Sequence, residues 1–242
     1  MFGTVTNLRG LAFAVVFLAA GWLAAAPLQV LMIGNSYTAQ VRQAMIQAKD
    51  ATPKAMEIKA ISPGGKTLEW HAQNENTLSL LRSQKWDVVV LQDQSQTPAY
   101  FPGKFKAGAT ALAKIARGQG ARVVFYQTWG RRDGDKRNAK IAPDYKTMQK
   151  MLTTNYNAVA KALDCEVAAV GEAWERIHDE HPDLFQRLYK KDGSHPGMAG
   201  AYLVACVMSR QFAGGMPNAD KAPKGLSAED VKILRWAAGA DK

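Results

Sequence analysis

Short apolar runs punctuate the chain at 29–33, 56–61, 87–91, 122–126 and 166–170. Runs such as Val88-Val89-Val90-Leu91 and Val123-Val124-Phe125-Tyr126 show almost no polar alternation, so each needs cover on both faces. Between the runs lie stretches with helical periodicity at 40–49, 76–84, 105–117 and 145–163. A strand, a helix and then another strand is the spacing of a parallel crossover rather than a hairpin. Repeated along the chain, it predicts an α/β protein: a three-layer sandwich around a central parallel sheet of about five strands, joined by right-handed crossovers.

The remaining segments fit one domain over 27–242, with no long linker, composition shift or internal repeat. A mostly apolar helix is expected over 197–212, buried against the sheet. A closing helix running to Trp236 is expected to start from the capping box Ser227-Ala228-Glu229-Asp230. Residues 1–26 read differently. Arg9 is their only charge, an apolar run follows it, and Ala24-Ala25-Ala26 ends the segment. A basic lead, an apolar stretch too short to span a bilayer and small residues at its end describe a secretory signal peptide. The expected location is therefore outside the cytoplasm, periplasmic or secreted, with a retained anchor as the alternative. Cys165 and Cys206 are the two cysteines. Both lie in apolar runs, where buried free thiols are favoured over a disulfide.

The 242 residues carry 31 Lys and Arg against 21 Asp and Glu, a formal net charge of +10. That excess invites a nucleic-acid reading, but the sequence does not sustain it. The densest basic run, Arg131-Arg132-Asp133-Gly134-Asp135-Lys136-Arg137, is broken by two acids and a glycine. No zinc-finger spacing or RNP-like aromatic string is present. No nucleic-acid partner is expected; the charge suits association with an anionic envelope surface. Gly65-Lys66-Thr67 resembles the end of a phosphate-binding loop, but Ala60 stands where that motif requires glycine. His71, His178 and His181 lack metal-ligand spacing. Neither a metal nor an organic cofactor is called for.

In open α/β sheets, ligands gather at the carboxyl ends of the strands. Polar segments follow three of the predicted strands: Gly34-Asn35-Ser36-Tyr37-Thr38, Pro63-Gly64-Gly65-Lys66-Thr67 and Gln92-Asp93-Gln94-Ser95-Gln96. Asp192-Gly193-Ser194-His195-Pro196 forms a late loop between helices. A serine between a strand tip and a helix sits where backbone N–H groups favour developing negative charge. Its hydroxyl still needs a base, for which His195 is the candidate. Asp192, three residues earlier, can hold the imidazole tautomer. Donors for an oxyanion are the Ser36 N–H, the Gly65 N–H and a side-chain amide from Gln94 or Gln92. Tyr37, His71 and Trp129 are candidates to line the substrate pocket.

These blocks resemble those of the SGNH/GDSL hydrolase superfamily. Gly34-Asn35-Ser36 matches its nucleophile block, Gly65 its oxyanion glycine, and Asp192-Gly193-Ser194-His195 its closing Asp-x-x-His block. The third block departs from the usual Gly-x-Asn-Asp and reads Gln92-Asp93-Gln94-Ser95, with Gln94 in the asparagine register. The resemblance covers roughly 28–212. It implies a flavodoxin-like SGNH fold and a serine esterase with a Ser36–His195–Asp192 triad. Glutamine in the third block is similar to the carbohydrate-acetylesterase branches, which implies a short acyl ester on a carbohydrate as substrate. The alternatives are a lipase- or thioesterase-like member and a non-catalytic glycan- or envelope-binding protein of the same fold.

Overall fold

Val30, Leu31, Met32 and Ile33 are all fully buried, as a strand covered on both sides requires. In the computed structural model, which describes residues 26–134 and 142–239, they belong to β1 (Leu28–Ile33). The chain continues through α1 (Ser36–Ala48), β2 (Met56–Ile61), α2 (Leu68–His71), α3 (Glu75–Arg82) and β3 (Val88–Leu91). It then forms α4 (Thr97–Tyr100), α5 (Pro102–Gly118), β4 (Arg122–Tyr126), α6 (Tyr145–Leu163) and β5 (Glu166–Ala168). Helices α7 (Val170–Glu180), α8 (Pro182–Arg187), α9 (Met198–Phe212) and α10 (Ala228–Ala237) complete it, with a 3-10 turn at Ala219–Lys221. The expected signal peptide falls almost entirely outside the described residues. No helix among those described is long and apolar enough to cross a membrane.

The five strands are all parallel and lie in the order β2-β1-β3-β4-β5. Alternate residues of each strand feed two cores. Val30 and Met32 pack with Val41 and Met45 of α1, Trp174 of α7 and the apolar face of α9. Leu31 and Ile33 face the other way, toward Phe105 and Leu112 of α5 and Leu152 and Tyr156 of α6. Helices on both faces make the three layers that the uninterrupted apolar runs predict. Each fully buried aliphatic side chain contributes about 1.5–3 kcal/mol relative to exposure, so the sheet is a rigid platform for whatever its edge carries.

Chain order reverses between β1 and β3, so the loops after these two strands diverge and leave a crevice at the carboxyl edge. Several element boundaries differ from the sequence-based expectation. Helix α1 begins at Ser36 rather than at residue 40, because the Asn35 side chain accepts the Tyr37 N–H at 3.1 Å and caps it. The run 166–170 splits, since Val170 already opens α7. The predicted capping box is half formed. Ser227 accepts the Asp230 N–H at 3.0 Å, while the Asp230 carboxylate is taken by both terminal nitrogens of Arg187 at 2.6 and 2.7 Å. Both cysteines are free; Cys206 is buried in α9, whereas Cys165 is only partly covered.

Candidate active site

Asn35 fixes the turn that presents Ser36. It is almost fully buried, its carbonyl oxygen caps α1, and its Nδ2 donates to the Lys66 carbonyl at 3.2 Å. One side chain thus joins the loop after β1 to the loop after β2. Gly34 allows the close approach on the other side. A Cβ there would collide with the Thr38 hydroxyl and with Gln92 Oε1.

Ser36 Oγ lies 2.9 Å from His195 Nε2, and His195 Nδ1 lies 2.5 Å from Asp192 Oδ2. A carboxylate accepts, so Nδ1 carries the ring proton and Nε2 is left to accept from the serine hydroxyl. Asp192 Oδ1 also accepts the N–H groups of Ser194 and His195, each at 3.0 Å. Partial burial pushes the Asp192 carboxyl up, but the imidazole and these two N–H groups prevail and hold it down at about 2. It is therefore an anion at neutral pH, able to orient the ring and to balance a charge formed on it.

Beside Ser36 opens a cavity of about 280 Å³, lined by Ser36, Tyr37, Gly65, Gln94 and His195. Neither the Ser36 N–H nor the Gly65 N–H has a backbone acceptor among the described residues. Gly65 has φ +71°, a left-handed conformation that favours glycine. Gln94 Oε1 accepts the N–H groups of Gln96 and Thr97 at 2.7 and 3.2 Å, which turns its Nε2 into the available donor. Two backbone N–H groups and one side-chain amide therefore border the same space as the serine hydroxyl.

Gln92 is placed elsewhere. It is fully buried, and its Oε1 accepts from Asn35 N at 3.0 Å, Thr38 N at 3.3 Å and Thr38 Oγ1 at 2.8 Å. Its Nε2 donates to the Asp93 carbonyl. Gln92 therefore braces the Ser36 turn from within the protein and does not line the cavity, whereas Gln94 does, which corrects its candidacy for the oxyanion site.

The three candidate pocket residues also separate. Tyr37 does line the cavity, with its ring edge-on to His195 at 5.3 Å between centroids. Burial pushes its phenol above the ordinary value, against the pull of Ser194 and of the Arg131 charge. Trp129 is fully buried, stacked between Tyr37 and Trp174 with centroid separations of 4.9 and 3.9 Å, and contacts no part of the cavity. Its indole N–H donates to the Ser194 carbonyl at 3.0 Å, so it steadies the His195 loop from behind. His71 is buried too. Its Nε2 donates to the Gly34 carbonyl and its Nδ1 pairs with the Thr77 hydroxyl, both at 2.8 Å. Burial lowers its pKa despite the Gly34 carbonyl. A neutral imidazole that supports the serine turn replaces the pocket contact expected of it.

Two lining residues carry no sequence signal of their own. Ser95 follows Gln94, and Arg131 comes from the loop after β4, where it reads as one more basic loop residue. Arg131 is buried and donates from Nη2 to Ser95 Oγ at 3.2 Å. No group of three or more His, Cys, Asp and Glu side chains among the described residues is arranged to hold a metal ion.

A doubly wound parallel sheet with a serine after its first strand and a late Asp-x-x-His segment returning to that serine has the SGNH hydrolase fold. Solved structures carry the same architecture. A candidate SGNH hydrolase from Slackia heliotrinireducens is 27% identical, with 76% of this chain and 98% of that chain covered and a TM-score of 0.66. A DUF4886 family protein from Bacteroides uniformis is 19% identical over 89% of this chain and 94% of its own, with a TM-score of 0.76. An acetylxylan esterase from Geobacillus stearothermophilus is 14% identical over 78% and 95%, with a TM-score of 0.58. No family model and no curated protein matches the sequence. The chain is thus related to the SGNH/GDSL hydrolase superfamily.

Proposed function

We propose that the protein is an exported serine esterase that removes a short acyl group, acetyl foremost, from a carbohydrate. The observation that carries this is the continuous contact from Ser36 Oγ to His195 Nε2 at 2.9 Å and from His195 Nδ1 to Asp192 Oδ2 at 2.5 Å. Ser36 attacks the acyl carbon while His195 Nε2 takes the hydroxyl proton, and the Asp192 carboxylate stabilises the imidazolium. The Ser36 N–H, the Gly65 N–H and Gln94 Nε2 receive the charge that develops on the carbonyl oxygen. His195 then returns its proton to the leaving alcohol. It next activates a water that releases the acid and regenerates Ser36. No step in this sequence requires a metal or an organic cofactor.

The substrate class is supported by the size and lining of the cavity. About 280 Å³ bordered by Asn35, Ser95, Gln94 and Arg131 suits a small acyl group and a polyhydroxylated alcohol better than a long alkyl chain. The apolar leader over 1–26 supports export. Hydrolysis of p-nitrophenyl acetate by the wild type, abolished in Ser36→Ala, is the expected result. Equal rates in the two proteins, or none in the wild type, refute the catalytic assignment. Comparison of p-nitrophenyl acetate with p-nitrophenyl palmitate tests the acyl class, and a preference for palmitate refutes it.

A further inference from the structure

Asp93 follows Gln92 at the end of β3 and is fully excluded from solvent. Its Oδ1 accepts two backbone N–H groups, from Gln94 at 2.6 Å and from Leu68 at 3.1 Å. Its Oδ2 is buried with no hydrogen-bond partner among the described residues. Leu68 opens α2 three residues after Gly65, and Gln94 bears the side-chain amide that borders the cavity. One oxygen atom therefore joins the two loops that supply the second and third oxyanion donors. The Gly65 loop is also held by Asn35 Nδ2 on the Lys66 carbonyl, and Asp93 ties it to the third block.

We propose that Asp93 is a positioning residue for the oxyanion site: by accepting the Leu68 and Gln94 N–H groups on one oxygen, it sets the separation between the Gly65 N–H and the Gln94 side chain. Its effect on rate rests on the esterase reading above; the tie itself does not. An acceptor oxygen is all this role needs. Asparagine keeps a carbonyl oxygen at Oδ1 in the same shape, whereas alanine removes it.

The carboxyl form adds a pH dependence that asparagine lacks. Burial pushes the Asp93 carboxyl up to about 7, against the Gln94 and Leu68 N–H groups and with a small addition from the Glu69 charge. The titratable groups acting with it from the packed elements are Glu69 on α2 and Tyr156 on α6. The Tyr156 phenol is itself driven up by burial and by the neighbouring Asp93 charge. Gain or loss of the Asp93 proton changes the acceptor strength of Oδ1 toward both N–H groups.

The test uses the full-length protein and its Asp93→Ala and Asp93→Asn variants. Amide hydrogen exchange at Leu68 and Gln94 is expected to accelerate in Asp93→Ala and to stay slow in Asp93→Asn. With p-nitrophenyl acetate, Asp93→Ala is expected to lower kcat about 10²-fold, the cost of misplacing a catalytic group by roughly 1 Å, with KM little changed. Asp93→Asn restores most of that loss and removes the component of the kcat–pH profile centred near pH 7. Unchanged exchange at both amides in Asp93→Ala, or a rate for Asp93→Asn as low as that of Asp93→Ala, overturns the proposal. If the wild type does not cleave the ester, the esterase reading falls, while the exchange measurement still decides the tie. If Asp93→Ala does not fold, Asp93→Asn decides alone: protected amides and the lost pH component support the proposal, and exposed amides overturn it.

Discussion

Trp129 stacks on Tyr37 with ring planes 9° apart while its indole N–H holds the Ser194 carbonyl at 3.0 Å. Tyr37 closes the ring of contacts by pairing its hydroxyl with Ser194 Oγ at 2.7 Å. The residue beside Ser36 and the residue beside His195 are thereby fastened to one aromatic block, which extends through Trp174 into the core beneath α7. The separation of Ser36 and His195, 159 residues apart in sequence, is thus supported by packing of this block.

Trp129→Phe tests this arrangement. Phenylalanine retains most of the stack but leaves the buried Ser194 carbonyl without its donor, a loss of about 1–3 kcal/mol in stability. Because that carbonyl precedes His195, kcat on p-nitrophenyl acetate is expected to fall while KM stays close to the wild-type value. Urea denaturation and steady-state kinetics on the same samples check both. A stable variant with unaltered kcat would show that the indole contributes bulk alone.

Gly34→Ala is expected to damage the serine turn from the opposite side. The added methyl would meet the Thr38 hydroxyl and Gln92 Oε1, in a region where Gln92 already satisfies Asn35 N and Thr38 N. Overpacking of this sort costs about 1–3 kcal/mol. Thermal denaturation should show a lowered Tm together with a reduced kcat, and a variant with wild-type values for both contradicts the crowding at this turn.

The architecture was legible in the sequence because buried parallel strands leave uninterrupted apolar runs. The runs at 87–91 and 122–126 correspond closely to β3 and β4, and the helical pattern over 145–163 coincides with α6. The run at 166–170 was ambiguous for a physical reason: an apolar residue such as Val170 fits the end of a strand or the start of a buried helix equally well. Helices α2 and α4 span four residues each, too few to show a period. Ser36, His195 and Asp192, which the structure brings together, could be found because a hydroxyl, an imidazole and a carboxylate at such positions are chemically distinctive. Gln92 and Gln94 could not be separated, since both follow β3 in one short polar segment and carry the same amide; their difference lies in their partners, Asn35 and Thr38 for Gln92, Gln96 and Thr97 for Gln94. Trp129 and His71 lie where pocket residues often lie, yet stand one layer behind the cavity. Arg131 was hidden by its basic neighbours.

The low Asp192 pKa has a consequence for acid stability. The folded carboxyl sits at about 2, below the roughly 3.9 of an unfolded aspartate. Its contribution to stability is therefore complete above about pH 4 and fades as the pH falls through the folded value. Asp192→Asn removes that contribution at every pH. The Tm difference between wild type and Asp192→Asn, measured from pH 7 down to pH 2, is expected to be largest at the neutral end and to shrink toward acid. A difference independent of pH would mean that the hydrogen bonds to Asp192 do not depend on its charge.

The two glutamines of the third block are expected to respond in opposite ways to truncation. Gln94 borders the cavity, and its oxygen is occupied by the Gln96 and Thr97 N–H groups, which leaves its Nε2 as the proposed oxyanion donor. Loss of one such donor costs about 10²–10³ in kcat. Gln94→Ala should therefore be a slow enzyme with a near-normal Tm, since its side chain is only partly buried. Gln92 is fully buried, and its Oε1 accepts three hydrogen bonds around Ser36. Gln92→Ala leaves Asn35 N and Thr38 N without an acceptor, at about 1–3 kcal/mol for each buried group. Its primary effect should be a lowered Tm, with kcat reduced because the Ser36 turn loosens. Denaturation and kcat for the two variants separate the roles. A Gln94→Ala protein with wild-type kcat would remove that amide from the oxyanion site and leave the two backbone N–H groups to form it.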